Sequence, residues 1–172
     1  MHQKILFSLV FFSLLIGLTG PEKARGFQNE DLLNWVTDEL KVTEDYPVPV
    51  INIVPKKELQ ETFKKNNKES FKRWAEEYGQ EDANKILDQY LNEVAGLFNP
   101  KTKIIHVRQF EDKCKESSVV AHELAHYLQI MENDTNGSQL PDTDDLRFFR
   151  EMQAGHIETV FMESFCGRPA GD

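Results

Sequence analysis

The residues best suited to chemistry lie in the segment VVAHELAHYLQ, where Glu123 directly follows His122 and His126 comes four residues after it. Residues four apart share a face of an α-helix, so both imidazoles can point at one zinc ion. Zinc lowers the pKa of its bound water to about 7, and a glutamate at the position of Glu123 can take the proton of that water. The spacing therefore predicts a zinc site with Glu123 as general base, although histidines on a solvated helix face would give the same pattern.

A catalytic zinc normally takes three protein ligands, so a further ligand is expected downstream. Glu151 follows His126 with 24 residues between them, and Ala154 lies on the same helical face, where a small residue would let two helices approach closely. His156 is a competing candidate, either as the ligand or as a catalytic residue, and the remaining alternative is a helix residue without a role in the site. Glu158 shares the face of Glu151 and is either a partner of a ligand histidine or a solvated charge.

The run His122-Glu123-Leu124-Ala125-His126, followed by Glu151-Met152-Gln153-Ala154, resembles the gluzincins, the zincin metallopeptidases with a glutamate ligand. It is more closely similar to small secreted bacterial proteins with His-Glu-Leu-x-His-x-x-Gln and a later Glu-x-x-Ala. The resemblance covers roughly Glu93 to Cys166. It implies a peptidase in which His122, His126 and Glu151 bind Zn2+ and Glu123 is the catalytic base. It also implies a mixed sheet packed on the zinc helix, with an edge strand that binds extended peptide.

Two features depart from the gluzincin pattern. The aspartate that thermolysin-like members carry four residues after the ligand glutamate, to orient a histidine, is replaced by Gly155. The residue that would stabilise the oxyanion is unassigned, and Tyr127, His156 and His106 are the candidates. Gln129, seven residues after His122, either borders the cleft or faces water.

Length and composition limit the number of domains and the kinds of partner. The chain has 172 residues and a net charge of -9, which suits one domain and argues against nucleic acid or anionic lipid as the partner. The apolar run from Ile5 to Leu18 predicts a signal peptide over residues 1–26, with an uncleaved anchor as the alternative. Residues 27–172 would then form a secreted or periplasmic zincin-like domain, with a peptide or protein substrate and no membrane contact after cleavage.

The chain has two cysteines, Cys114 and Cys166. In an oxidising compartment an even pair is most simply a disulfide, so we expect the two residues to be bonded.

The pattern of the remaining residues predicts the elements that position the site. A strand is expected at Val50–Val54, and a hairpin is expected from Glu93–Phe98 and Lys103–Arg108. The zinc helix should span roughly Val119 to Glu132, with Ser117 or Ser118 as its cap. The residues expected to face the core from this helix are Val120, Leu124, Leu128 and Met131.

After a loop over Asn133–Asp145, a last helix is expected from Leu146 to about Phe165. Four phenylalanines of this helix are expected in the core: Phe148, Phe149, Phe161 and Phe165. The partial segregation of strands and helices favours an α+β fold, a minimal zincin-like domain with a small mixed sheet and hairpin packed on the zinc helix.

These observations together predict a zinc-dependent hydrolase, a peptidase by its resemblance. The first alternative is a catalytically silent zincin-like binding or regulatory module. The second is a structural helical protein without metal. Glu123 favours the enzyme, because a metal can be held without it.

Overall fold

The computed structural model describes residues 27–135 and 143–167. The predicted signal peptide and most of the predicted loop lie outside the described residues. No helix within the described ranges is long and apolar enough to cross a membrane. The elements in chain order are α1 (Asn29–Leu40), β1 (Val50–Val54), α2 (Lys56–Asn66), α3 (Lys68–Tyr78), α4 (Gln80–Glu93), β2 (Gly96–Asn99), β3 (Ile104–Arg108), α5 (Lys113–Thr135) and α6 (Asp144–Phe165).

The sheet of the described residues has three strands in the order β1-β3-β2. β3 pairs in parallel with β1 and in antiparallel with β2, so the sheet is mixed and β2 and β3 form the predicted hairpin. β2 begins at Gly96 rather than near Glu93, because α4 continues through Glu93. The α+β class is confirmed, and β2 lies at an edge of the sheet.

The helix that carries His122 and His126 starts at Lys113, six residues before the predicted start at Val119. The prediction of a serine cap is wrong. The Oδ1 atom of Asp112 accepts hydrogen bonds from the backbone N–H groups of Cys114 (2.9 Å) and Lys115 (3.4 Å), so the aspartate satisfies the free N–H groups of the first turn. Ser118 is instead buried inside the helix, where its hydroxyl donates to the Lys115 carbonyl at 2.9 Å.

The core lies between the sheet and α5. Ile105 and Val107 of β3 are fully buried, and the alternation of a strand places both on the same face of the sheet. The α5 stripe faces this core as predicted, with Val120, Leu124 and Leu128 buried and Met131 partly buried against it. α5 is therefore held by its apolar face, and the opposite face is left for the histidines.

α6 packs against α5 through small residues. Ala154 has no exposed surface, and neither do Ala121 and Ala125 of α5, which fits the close approach expected between the two helices. The disulfide Cys114–Cys166 is confirmed, and it joins the start of α5 to the residue that follows α6.

Three of the four phenylalanines of α6 do not lie in the core. Phe161 is fully buried, but Phe148 and Phe149 are 62% and 61% exposed, and Phe165 is 42% exposed. The buried residues of α6 run from Ala154 to Phe161. The prediction was wrong for Phe148 and Phe149, which precede the part of the helix that reaches the core, and for Phe165, which follows it as the last residue of α6.

Candidate metal centre

His122 and His126 of α5 converge with Glu151 of α6. The Nε2 atom of His122 lies 3.6 Å from one carboxylate oxygen of Glu151, and the Nε2 atom of His126 lies 3.4 Å from the other. One ligand atom from each of the three residues can be chosen so that all lie within 4.8 Å of one another. The group could therefore hold a metal ion.

The separations can be compared with those around a small tetrahedral ion. Ligand bonds of about 2.0 to 2.1 Å at tetrahedral angles place neighbouring ligand atoms about 3.3 to 3.4 Å apart. The two nitrogen–oxygen separations, 3.6 Å and 3.4 Å, are near that value but end on different oxygens of Glu151, and one set of three ligand atoms lies within 4.8 Å. The side chains would therefore draw closer together around such an ion. Glu151 is 66% exposed, so the group is open to solvent on the α6 side.

The second ring nitrogen of His126 is held by Gln129. Its Nδ1 atom lies 3.0 Å from the Gln129 side-chain oxygen, which can only accept, so Nδ1 carries the proton and Nε2 is free for a ligand role. The Gln129 amide nitrogen in turn donates to the Arg150 carbonyl at 3.2 Å and to the Gln153 side chain at 2.9 Å. Of the two alternatives that the sequence left for Gln129, bordering the cleft is the one observed, and its side chain also links α5 to α6.

The second ring nitrogen of His122 faces Glu158. The Nδ1 atom lies 3.4 Å from Oε2 of Glu158, within ion-pair distance, but it is buried and the alignment is not that of a formed hydrogen bond. The other Glu158 oxygen accepts from Lys115 at 2.6 Å. Glu158 therefore lies where it can orient His122. It is about one helical turn beyond Gly155, the position at which thermolysin-like enzymes carry the orienting aspartate.

The electrostatics of this group are those of tightly paired charges. Burial lowers the pKa of His122, but the carboxylates of Glu151 and Glu158 outweigh it and raise that pKa to about 10. The two histidines hold the pKa of Glu151 well below its usual range. Contact with His122 lowers the pKa of Glu158 to about 2. Lys115 lowers that pKa further, whereas burial opposes both effects. A metal ion would therefore displace a proton from His122 and replace it as the positive centre.

Glu123 is separate from the three converging residues and is only 7% exposed. Burial raises the pKa of its carboxyl group, and the backbone N–H of Phe98 and the two histidines oppose that rise. Glu123 passes close to Gly96 of β2: a Cβ built there would lie 2.7 Å from Cγ of Glu123 and 2.8 Å from Cδ, and closer still to one carboxylate oxygen. The carboxyl group reaches its place because residue 96 has no side chain.

These residues line a cleft of about 590 Å³ between β2, α5 and α6. The backbone N–H of Arg108 donates to the Ala95 carbonyl at 2.8 Å. Since the direction of the backbone groups alternates along an antiparallel strand, those of Gly96 and Phe98 point away from β3. The Phe98 N–H, which donates to Glu123, agrees with this direction. The free edge of β2 thus borders the cleft.

None of the three candidates for oxyanion stabilisation lines this cleft. Tyr127 is buried in the core, and its hydroxyl donates to the Pro47 carbonyl at 2.7 Å. His106 is on β3, where strand alternation places it on the sheet face opposite Ile105 and Val107. His156 is exposed and does not belong to the converging group.

The sequence reasoning did not find Lys115, Arg147 or Arg150, all of which line the cleft. Lys115 had a signal, because it precedes His122 by seven residues and so shares its helical face, as Gln129 does on the other side. The room that Gly96 leaves for Glu123 had no signal in the sequence, because it depends on the approach of a side chain from another element.

No family model, curated protein or solved structure matches this chain. What can be inferred of its function therefore rests on its own residues. These form a His-His-Glu group that could hold a metal ion, at the side of a cleft that also contains the buried carboxyl group of Glu123.

Proposed function

We propose that this protein is a zinc-dependent hydrolase of the gluzincin type that acts on peptide bonds. The observation that carries the proposal is the relation of Glu123 to the three converging residues. His122, His126 and Glu151 can surround one ion, while Glu123 lines the same cleft without being one of the three. A site that only held a metal would not need that additional buried carboxyl group.

The donor set supports zinc as the metal. Two imidazole nitrogens and one carboxylate oxygen are a common ligand set of catalytic zinc, with a fourth position open. When bound, zinc would polarise the scissile carbonyl and make water a stronger acid. The contacts of Glu158 with His122 and of Gln129 with His126 would keep both rings oriented for this role.

In the proposed reaction, Glu123 accepts a proton from the water whose oxygen attacks the carbonyl carbon of the scissile bond. As the carbon–nitrogen bond breaks, Glu123 passes the proton to the leaving amine, so the carboxylate is regenerated. The Phe98 N–H and the gap at Gly96 fix the carboxyl group for this transfer.

The position of β2 supports a peptide as the substrate. The backbone groups of Gly96 and the carbonyl of Phe98 point away from β3, and both residues line the cleft. An extended peptide could pair there as an added strand, with its backbone lying alongside the metal ligands.

The alternative, a zincin-like module that binds without catalysis, gains no support from a particular observation. Burying an ionisable carboxyl group costs free energy, so a buried carboxyl group beside a cleft is a candidate functional group. Glu123 is 7% exposed and lies beside a glycine that leaves room for it, which favours catalysis over binding alone.

The test is the variant Glu123→Gln, with Glu163→Gln on the exposed part of α6 as control. Zinc content would be measured by mass spectrometry after dialysis, and hydrolysis would be measured on a mixed library of quenched peptides. We expect the variant to keep one zinc per chain and to lose activity by about 10²- to 10⁴-fold, because base catalysis contributes that much.

Loss of zinc from the Glu123 variant, or activity equal to that of the control, would contradict the assigned role. Bound zinc in the unaltered protein without hydrolysis of any peptide would favour the binding module. Absence of zinc binding would leave only the structural alternative.

A further inference from the structure

The cleft has a cationic wall that the proposed reaction does not use. Lys115, Arg147 and Arg150 all line it, in a chain whose net charge is -9. The Nζ atom of Lys115 already forms an ion pair with Oε1 of Glu158 at 2.6 Å. The two arginines belong to the first half of α6, next to Glu151.

The arginines differ in how strongly they are engaged. Arg147 is already engaged: its guanidinium group lies 3.8 Å from Asp144, and this is not its only contact. Arg150 is half-buried, and no carboxylate of the described residues lies within ion-pair distance of its guanidinium group. A half-buried cation facing a cleft is an available site for an anion.

The backbone of Arg150 is held in place. Its carbonyl accepts a hydrogen bond from the amide nitrogen of Gln129 at 3.2 Å, and the oxygen of the same amide contacts His126. Arg147 precedes Glu151 by four residues, so these two lie one above the other on the helix. Both guanidinium groups are thus carried by the turn that presents Glu151.

The balance of charge in the cleft points the same way. The three cationic side chains are matched by three carboxyl groups, those of Glu123, Glu151 and Glu158. A divalent ion bound to His122, His126 and Glu151 would leave the cleft positive within an otherwise acidic protein. A concave positive site concentrates anions, and the low polarity of its walls strengthens the effect.

The cleft is also lined by apolar residues, which are Leu97, Phe98 and Pro100 on the β2 side and Val119 and Ile130 on α5. A peptide lying along β2 would therefore find both apolar surface and the guanidinium groups of α6 within the same cleft. The guanidinium fork matches the geometry of a carboxylate, and two parallel hydrogen bonds make such a contact specific.

We infer that the cleft selects peptides that carry a carboxylate close to the scissile bond, and that Arg150, assisted by Arg147, binds that carboxylate. The inference rests on the proposed hydrolase function and adds a substrate class to it. The carboxylate has two sources, the side chain of an aspartate or glutamate and the free carboxyl terminus of a peptide.

The experiment uses the zinc-loaded protein and matched pairs of quenched peptides. In one arm, a glutamate is compared with a glutamine at each position near the scissile bond, with the terminus amidated. In the other arm, the free carboxyl terminus is compared with its amide in a peptide without acidic side chains. The variants are Arg150→Gln, Arg150→Lys, Arg147→Gln and, as a control on the exposed face of α3, Arg73→Gln.

We expect kcat/KM to favour the carboxylate peptide in one of the two arms by about tenfold to a hundredfold, the usual effect of a hydrogen bond to a charged group. Arg150→Gln should abolish that ratio, Arg150→Lys should keep part of it, and Arg147→Gln should reduce it less. Arg73→Gln should keep it in full. A ratio near one in both arms, or a ratio that survives Arg150→Gln, would overturn the inference.

A binding measurement separates this inference from the proposed function. The same peptides are titrated into zinc-loaded Glu123→Gln protein, with and without Arg150→Gln. Tighter binding of the carboxylate peptide that is lost with Arg150→Gln supports the inference even if the unaltered protein hydrolyses nothing. Hydrolysis without any preference for a carboxylate leaves the proposed function standing and rejects the inference.

Discussion

Replacing Gly96 by alanine should disable the proposed reaction without removing the metal. The added Cβ would lie 2.7 Å from Cγ of Glu123 and 2.8 Å from Cδ. Carbon atoms rest at about 3.5 Å or more, so the carboxyl group must move by about 0.8 Å. The side chain has little room to do so, because Glu123 is 7% exposed and accepts from the Phe98 N–H.

A displacement of about 1 Å at a reacting group costs about 10²-fold in rate, and we expect a loss of that size in Gly96→Ala. Zinc affinity should change little, because the three atoms nearest to the added Cβ all belong to Glu123, which is not one of the three converging residues. The overlap itself should lower the free energy of unfolding by about 1 to 3 kcal/mol. The measurements are kcat/KM on the best peptide of the library, zinc content, and urea unfolding.

Gly155→Ala is the matched control. Gly155 lies in α6 four residues after Glu151, and a Cβ added there would meet nothing within 4 Å. Alanine should raise the stability of that helix by about 0.5 to 1 kcal/mol and leave activity unchanged.

The double variant Gly96→Ala with Glu123→Gln isolates the cause. If the glycine acts only through Glu123, adding Gly96→Ala to Glu123→Gln should cost little further activity. Full activity in Gly96→Ala would refute the reasoning, as would loss of zinc, because the first result would mean that Glu123 can move freely and the second that the glycine supports the ligands.

Three further predictions concern the supports of the site. Replacing both cysteines of the disulfide by serine should lower the free energy of unfolding by about 4 kcal/mol, since the bond closes a loop with a sequence separation of 52. Thiol titration of the denatured, unreduced protein should find no free thiol, and two free thiols would refute the bond. Glu151→Ala should lose zinc at free zinc concentrations at which the unaltered protein stays loaded, whereas His156→Ala should keep its zinc. The reverse result would make His156 the ligand. Glu158→Gln should weaken zinc binding by about 10- to 100-fold, whereas the exposed control Glu163→Gln should not, and equal affinities in the two variants would show that Glu158 does not support His122.

The parts of the site that follow from helical spacing were predictable. His122 and His126 share a face because they are four residues apart, and the apolar stripe through Leu124 and Leu128 fixed which face that was. Glu151 could be anticipated because Ala154 marks a face where α6 can approach α5. Its position 3.4 Å from His126 fits that expectation, and its role as a ligand is still a prediction.

The parts that depend on contacts between elements were not predictable in the same way. Tyr127 stands next to His126 in the sequence, yet its hydroxyl donates to Pro47 on the other side of α5. The early start of α5 was missed because Asp112, rather than a serine, caps the helix. The contact of Glu158 with His122 depends on how α5 and α6 are placed side by side, which no local pattern encodes.

The disulfide Cys114–Cys166 has a topological consequence. It closes a covalent ring of main chain, and His122, Glu123, His126 and Glu151 are all members of that ring. A single break anywhere in the backbone of the ring would open it without detaching any of these residues, because each piece stays joined through the sulfur atoms. Because we propose that this protein is a peptidase, one copy could cut another in the segment between α5 and α6. After such a cut the metal-binding group would still lie on one covalent molecule.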